Sequence, residues 1–210
     1  INYIALLGWS PKGNEEILSR EELIKAFDFD RISSTGGIFD IKKLNWMNGE
    51  YIKKLSVEKV VEAMRPFLVQ AGLVDASTDE ERLRLAAELY QNRIEYFAEV
   101  PDIMRHLFVD AKDVVYDDEA KEALATSKAQ ELATCLAEKV KAQDALTPEF
   151  TNGVVKEIQK EKGIKGKALW FPIRAAVVGS TSGPDFGKTL LILGRDEVLR
   201  RLEVAKKFAK

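Results

Sequence analysis

The sequence predicts an all-α fold. Apolar residues recur at spacings of three and four through most of the chain, with helix-start and helix-stop residues flanking those stretches. No apolar–polar alternation of the kind a half-buried strand needs runs longer than four residues. At 210 residues the chain can bury one large core or two to three small ones.

Ile1-Asn2-Tyr3-Ile4-Ala5-Leu6-Leu7-Gly8-Trp9 opens in mid-pattern, as a helix ending at Gly8. With no initiator Met, basic n-region or small-residue cleavage site it does not read as a signal peptide, and it suggests a piece of a longer protein. Ser19-Arg20-Glu21-Glu22 is a capping box, and Leu23, Ile24 and Phe27 form the apolar stripe of the helix it starts. Residues 33–37 (Ser-Ser-Thr-Gly-Gly) are a turn, followed by a short helix over 40–46 that ends near Asn48-Gly49. Ser56 caps a helix carrying Val57, Val60, Val61, Met64 and Phe67. Thr78-Asp79-Glu80-Glu81 starts another with acids in its first turn; Leu83, Ala86, Ala87 and Tyr90 share a face that Ile94 and Phe97 continue.

Pro101 breaks that run and begins a helix over 102–108. Residues 110–119 read as an acidic loop, and 120–146, rich in Ala, Leu, Glu and Lys, as two helices split near Ser127. Thr147-Pro148 sets a cap before a first-turn proline, for a helix to about residue 161. Gly163, Gly166 and Lys167 form a linker. Helices over 168–178 and 195–208 close the chain, with a glycine-rich turn over 179–187 between them. Composition places unit boundaries near residues 56 and 143.

Composition also narrows the chemistry. The chain is 46% hydrophobic and 31% charged, which fits a globular protein, and no apolar run reaches the ~18–20 residues of a membrane-spanning helix. One cysteine, Cys135, forms no internal disulfide or Cys-rich zinc site and fits a reducing compartment, hence the cytoplasm. One histidine, His106, excludes multi-histidine metal centres and disfavours a histidine-based triad. Carboxylate pairs such as Glu15-Glu16 and Asp117-Asp118 sit in polar runs, whereas a catalytic pair needs a pocket that splits the two pKa values. No nucleophile–base pair can be assembled, so the residues themselves point away from an enzyme.

Gly183-Pro184-Asp185-Phe186-Gly187-Lys188-Thr189 looks at first like a phosphate loop. Only three residues separate Gly183 from Gly187 where four are required, Pro184 lacks an N–H, and no strand precedes it, so a helix-linking turn is expected. The net charge of −2 gives no global sign of a polyanion partner. Locally, residues 156–174 carry five lysines and Arg174 against two glutamates, with Trp170 and Phe171 interleaved and Phe186 beyond. Arg195, Arg200, Arg201, Lys206, Lys207 and Lys210 extend this basic face. Lysines can track phosphates while aromatics and arginine stack on or bond to the unstacked bases of an RNA loop. The same residues also suit a solvated helix face, or a helical protein-interaction module that meets an acidic partner.

Specific segments carry a family resemblance. Tyr3-Ile4-Ala5-Leu6-Leu7-Gly8-Trp9-Ser10-Pro11 resembles the stretch that follows the KMSKS-type loop of bacterial glutamyl-tRNA synthetases. Phe39-Asp40-Ile41-Lys42-Lys43-Leu44-Asn45-Trp46-Met47-Asn48-Gly49-Glu50-Tyr51-Ile52 is similar to that family's F-D-x-x-K-L-x-W-x-N-G-x-Y-I block. Pro172-Ile173-Arg174-Ala175-Ala176 and the segment from Leu193-Gly194 to Arg201-Leu202 resemble its C-terminal pattern.

The resemblance implies the tRNA-binding half of a glutamate–tRNA ligase: a stem-contact region over 1–56, then a two-part helical anticodon-binding cage over 57–142 and 143–210. The HIGH and KMSKS motifs are absent, so ATP, Mg, glutamate and the adenylate chemistry would belong to a preceding nucleotide-binding fold. The fragment would then be inactive alone, without cofactor, and monomeric, with a glutamate-accepting tRNA as partner. By position, Arg174 matches the family's arginine for the first anticodon base. Gly183, Pro184 and Phe186 fall in the loop that packs on the middle base, with Gly183 standing for a threonine and Phe186 for a leucine. Arg93 matches an arginine that favours C over G as third base in members specific for glutamate tRNA. Its alternative reading is a surface residue paired with Glu88 or Glu95. Lys42, Lys43 and Trp46 would lie by the stem-contact surface, with Trp46 expected mainly in core packing.

Overall fold

The structure is a computed structural model that describes residues 1–208; Lys210, placed by the sequence on the basic face, lies outside the described residues. The described residues form eleven α-helices: α1 (Asn2–Gly8), α2 (Arg20–Ala26), α3 (Ile41–Lys53), α4 (Val57–Gln70), α5 (Glu80–Tyr90), α6 (Val100–Phe108), α7 (Asp118–Leu124), α8 (Ala129–Lys141), α9 (Pro148–Lys162), α10 (Lys167–Val178) and α11 (Phe186–Ala205). There is no strand among the described residues, and a lone antiparallel bridge joins Trp9 to Ile32. The all-α expectation holds.

Short polar side chains start most of these helices by taking an otherwise unpaired N–H. Ser19 accepts from Glu22 N while Glu22 Oε2 accepts from Ser19 N at 2.7 Å, the reciprocal box expected at α2. Ser56 and Thr147 cap α4 and α9 as read from the sequence, and Asp40, Asp79, Asp117 and Asp185 do the same for α3, α5, α7 and α11.

Four expectations need correction. In α2 only Leu23 is buried; Ile24 and Phe27 are exposed. Helix α3 does not end near Asn48-Gly49 but runs on to Lys53, because Gly49 is where the 94–95 backbone crosses the helix. A Cβ on Gly49 would lie 3.2 Å from the Ile94 carbonyl oxygen, so the glycine serves close approach instead of termination. Helix α5 stops at Tyr90; Ile94 follows the 3₁₀ turn over Gln91–Arg93 and Phe97 opens the one over Phe97–Glu99, both still packing in the cluster of Leu83 and Ala86. The turn over 179–187 is shorter than expected, since α11 begins at Phe186 and changes direction at Gly194 (φ 74°, ψ 165°).

Buried apolar residues fall into two clusters. The first gathers α4, α5 and α6 around Met64, Leu68, Leu83 and Leu107, and takes Ile52 from α3 and Ile192 from α11. The second gathers α7 to α11 around Leu132, Leu136, Ile158, Leu169 and Ile173. Helices α8 and α9, on either side of residue 143, share this second cluster, and the change between clusters falls at residues 108–114. Before α4, side chains stitch the chain together: Asn2 Oδ1 accepts from Leu18 N at 2.9 Å and from Tyr51 OH at 2.7 Å.

Candidate nucleic-acid interface

One face of α10 carries the most distinctive surface. Lys167, Trp170, Phe171 and Arg174 are spaced 0, 3, 4 and 7 and therefore lie in one stripe. Lys167 Nζ sits 5.4 Å from the centre of the half-buried Phe171 ring. Trp170 is 38% exposed and meets Phe186 edge-on, with ring centres 6.2 Å apart.

The turn after α10 folds back on Arg174. Arg174 Nη1 donates to the Pro184 carbonyl at 2.9 Å, and the guanidinium lies 5.2 Å from the centre of the buried Phe186 ring. Gly183 sits at φ 149°, and a Cβ there would come within 3.2 Å of Arg174 Nη1. Here a threonine, the residue of the family pattern, would strain the backbone and crowd the guanidinium. Arg174 and the Gly183–Phe186 loop thus form one cluster.

Arg93 stands next to it. It is exposed at the end of the Gln91–Arg93 turn, which α3 holds from both sides. Gln91 Nε2 donates to the carbonyls of Ile52 (3.0 Å) and Leu55 (2.8 Å) at the end of α3. Asn48 Nδ2 donates to the Glu95 carbonyl at 2.6 Å, and Gly49 lies under Ile94. Neither Gln91 nor Asn48 was singled out from the sequence as supporting a site. Among the described residues Arg93 forms no ion pair: Glu88 instead pairs with Arg84 at 2.6 Å and Lys188 at 3.9 Å. Of the alternative reading, the surface position holds and the ion pair does not.

The electrostatics tie the two arginines together. Burial pushes the Arg174 pKa below its ordinary value; Asp185 and Tyr90 oppose the fall and Arg93 adds to it. Burial pushes Tyr90 up to about 12 against the pull of Arg93 and Arg174. Two cations near enough to act on each other, one exposed and one half-buried with Asp185 acting on it but no direct ion pair, favour an incoming anion or electron-rich base edge.

The Gly-Lys-Thr segment is not a phosphate cradle. Asp185 Oδ1 accepts from Lys188 N at 2.7 Å, so a carboxylate already occupies the helix start where a phosphate would bind. ATP does not fit this chain's own residues there. No group of three or more His, Cys, Asp or Glu is placed to hold a metal ion among the described residues. Cys135 is buried, as its apolar neighbours suggest, and His106 is half-buried.

The basic face is smaller than the sequence predicts. Arg195 donates to the Gln143 carbonyl at 2.7 Å at the end of α8; Arg200 pairs with Glu197 at 2.8 Å; Lys206 pairs with Glu203. Lys207 lies over the Phe208 ring at 5.1 Å, and Arg201 is fully buried. Within 156–174, Lys162 pairs with Glu131 at 3.2 Å. Lys156, Lys160, Lys165 and Lys167 stay exposed and form no ion pair among the described residues. Arg201 and part of Arg195 are thus taken up by the fold, while Arg200, Lys206 and Lys207 remain exposed, the first two in surface ion pairs.

On α3, Lys42 is exposed and Lys43 pairs with Glu16. Trp46, expected in the core, is 41% exposed one turn after Lys42, because the buried stripe of α3 runs through Met47, Gly49 and Ile52.

Residues 59–206 match the family described as an anticodon binding domain. Residues 1–46 match the catalytic domain of class I tRNA synthetases for E and Q. A glutamate–tRNA ligase from Finegoldia magna is 43% identical over 97% of this chain and 41% of its own length. One from Geobacillus stearothermophilus is 41% identical over 97% of this chain and 42% of its own. Among solved structures, a glutamate tRNA ligase from Elizabethkingia meningosepticum superposes with a TM-score of 0.86 over 98% of this chain and 40% of that one, at 24% identity. The chain spans about two fifths of the length of the curated relatives it matches.

Proposed function

Because the chain belongs to the anticodon-binding-domain family over residues 59–206, we propose that it is the tRNA-reading part of a glutamate–tRNA ligase. Its partner is then a glutamate-accepting tRNA, and its place of work the cytoplasm. The whole ligase would join glutamate to that tRNA with ATP and Mg, which are bound outside the residues present here. Alone, this chain would bind tRNA and catalyse nothing. Among the described residues no helix is long and apolar enough to cross a membrane.

The observation that carries the reading is the convergence of half-buried Arg174 and exposed Gly183 on the buried Pro184 and Phe186, near exposed Arg93. Arg174 would meet the first anticodon base, its donors kept in one plane by the Pro184 carbonyl and the Phe186 ring. The Pro184–Phe186 turn would pack on the middle base through backbone and ring. Arg93, free of a carboxylate, would select the third. Exposed lysines of 156–167 would run along the phosphates. Lys42 and Trp46 would face the inner stem, with Lys43 loosely held by Glu16 beside them.

The match of residues 1–46 to a catalytic domain gives meaning to another feature. Ile4, Ile24, Phe29, Ile38, Phe39 and Ile41 are all more than half exposed, a concentration of apolar surface that suits burial against further protein. We assign this surface to the remainder of that catalytic domain.

The test is a binding titration with anticodon stem-loops that differ only at the first anticodon base. Arg174→Gln should cost about 1–3 kcal/mol on the preferred loop and flatten the preference. An unchanged preference would remove Arg174 from the reading.

A further inference from the structure

Arg201 is fully buried, and its guanidinium spans the two clusters of the fold. Its Nε donates to Glu197 Oε1 at 2.8 Å. Nη1 donates to the carbonyls of His106 (2.7 Å) and Val177 (3.0 Å), and Nη2 to that of Val109 (2.7 Å). His106 and Val109 lie at the C-terminal end of α6, while Val177 lies in the last turn of α10. One cation therefore satisfies the free carbonyls of two helix ends that belong to different clusters, where the negative ends of both helix dipoles meet. A planar fork of five N–H donors can do this; an ammonium on a flexible stem cannot span the same set.

Two of the partners, Val177 and His106, lead to the proposed base-reading arginines. Val177 is three residues beyond Arg174 on α10. His106 Nε2 lies 3.3 Å from Tyr90 OH, and Tyr90 is three residues before Arg93. Across the same junction α11 also packs on α5 and α6, Ile192 inserts into the first cluster, and exposed Lys188 pairs with Glu88 at 3.9 Å; among these Arg201 is the buried polar tie.

We propose that Arg201 is a positioning residue that sets the spacing between Arg93 and Arg174, so that both meet one anticodon loop at once; this rests on the anticodon reading above. Two folded-state variants test it. Arg201→Lys keeps the charge but loses the fork. Glu197→Leu with Arg201→Met removes the charge pair as a unit, at the cost of leaving the His106, Val177 and Val109 carbonyls without this donor.

Each is examined by calorimetry and by binding to loops with C or G as third anticodon base at two salt concentrations. The expected result is a folded protein whose two clusters unfold separately. Its third-base preference should fall from about tenfold to about twofold, with the salt slope of binding unchanged. A folded variant that keeps the wild-type preference overturns the proposal. So does failure of both variants to fold, which would make Arg201 a requirement of the core alone. If the unaltered chain shows no base preference, the anticodon reading fails first. The calorimetry then still decides the tie: one joint transition in a variant overturns it, and two support it.

Discussion

At the residue scale, the arginines differ in what their loss does to the fold. Arg93 is exposed and bonds to nothing among the described residues, so Arg93→Gln should leave the melting temperature within about 1 °C while altering base preference. Arg174 is half-buried on Phe186 and the Pro184 carbonyl, so its substitution also loosens the turn. His106 supplies a pH dependence. Burial, followed by Arg201 and Arg174, lowers its pKa from 6.5 to about 4, so the neutral ring is the folded form at neutral pH. The unfolded chain takes up this proton near pH 6.5 and the folded chain only near 4. Stability therefore falls as pH drops through that window, by at most about 3 kcal/mol, and levels off below it. His106→Gln should remove that component from a series of melting curves; an identical pH profile would show that His106 is not responsible. Legibility was uneven here. Arg174, Gly183, Pro184, Phe186 and Arg93 came from resemblance, since composition alone left a basic helix face. Gln91 and Asn48 were invisible because their acceptors are main-chain carbonyls up to 47 residues away, which no local pattern encodes.

At the scale of elements, the sequence was most legible where a helix start is written in one side chain. Ser19, Ser56 and Thr147 all act as read. Helix ends were harder, because a glycine can mark either a stop or a close approach. Gly49 shows the second case: α3 passes through it so that the 94–95 backbone, and with it the Arg93 turn, can lie against the helix. Gly49→Val should cost about 1–3 kcal/mol by overpacking, and Gly49→Ala less. Both should weaken third-base preference more than overall binding, because the displaced segment carries Arg93. Equal losses for both bases would mean that the turn is not held in the way described. The basic C-terminal residues teach the opposite lesson. Arg195, Arg200, Arg201 and Lys206 look like a surface stripe in the sequence, yet helix ends and carboxylates of the same fold take them up. Charge patterning counts charges but does not show which are already paired.

At the scale of the molecule, two helical clusters meet along α11, and the proposed reading surface lies at their junction instead of within either. A second exposed surface, apolar, lies within the first 46 residues. Phe29→Ser with Ile38→Ser, at side chains 78% and 89% exposed, should reduce self-association in light scattering without lowering the melting temperature. A drop in stability would show that these side chains support the fold as it stands. The central claim is that this junction reads an anticodon. Its most direct test is binding of the chain to anticodon stem-loops carrying C or G at the third anticodon base, at two salt concentrations, beside Arg93→Gln. The account predicts that C is favoured about tenfold, about 1.4 kcal/mol, that Arg93→Gln abolishes the gap, and that added salt weakens both loops alike. Equal affinity for the two loops in the unaltered chain, or no binding at low salt, would contradict it.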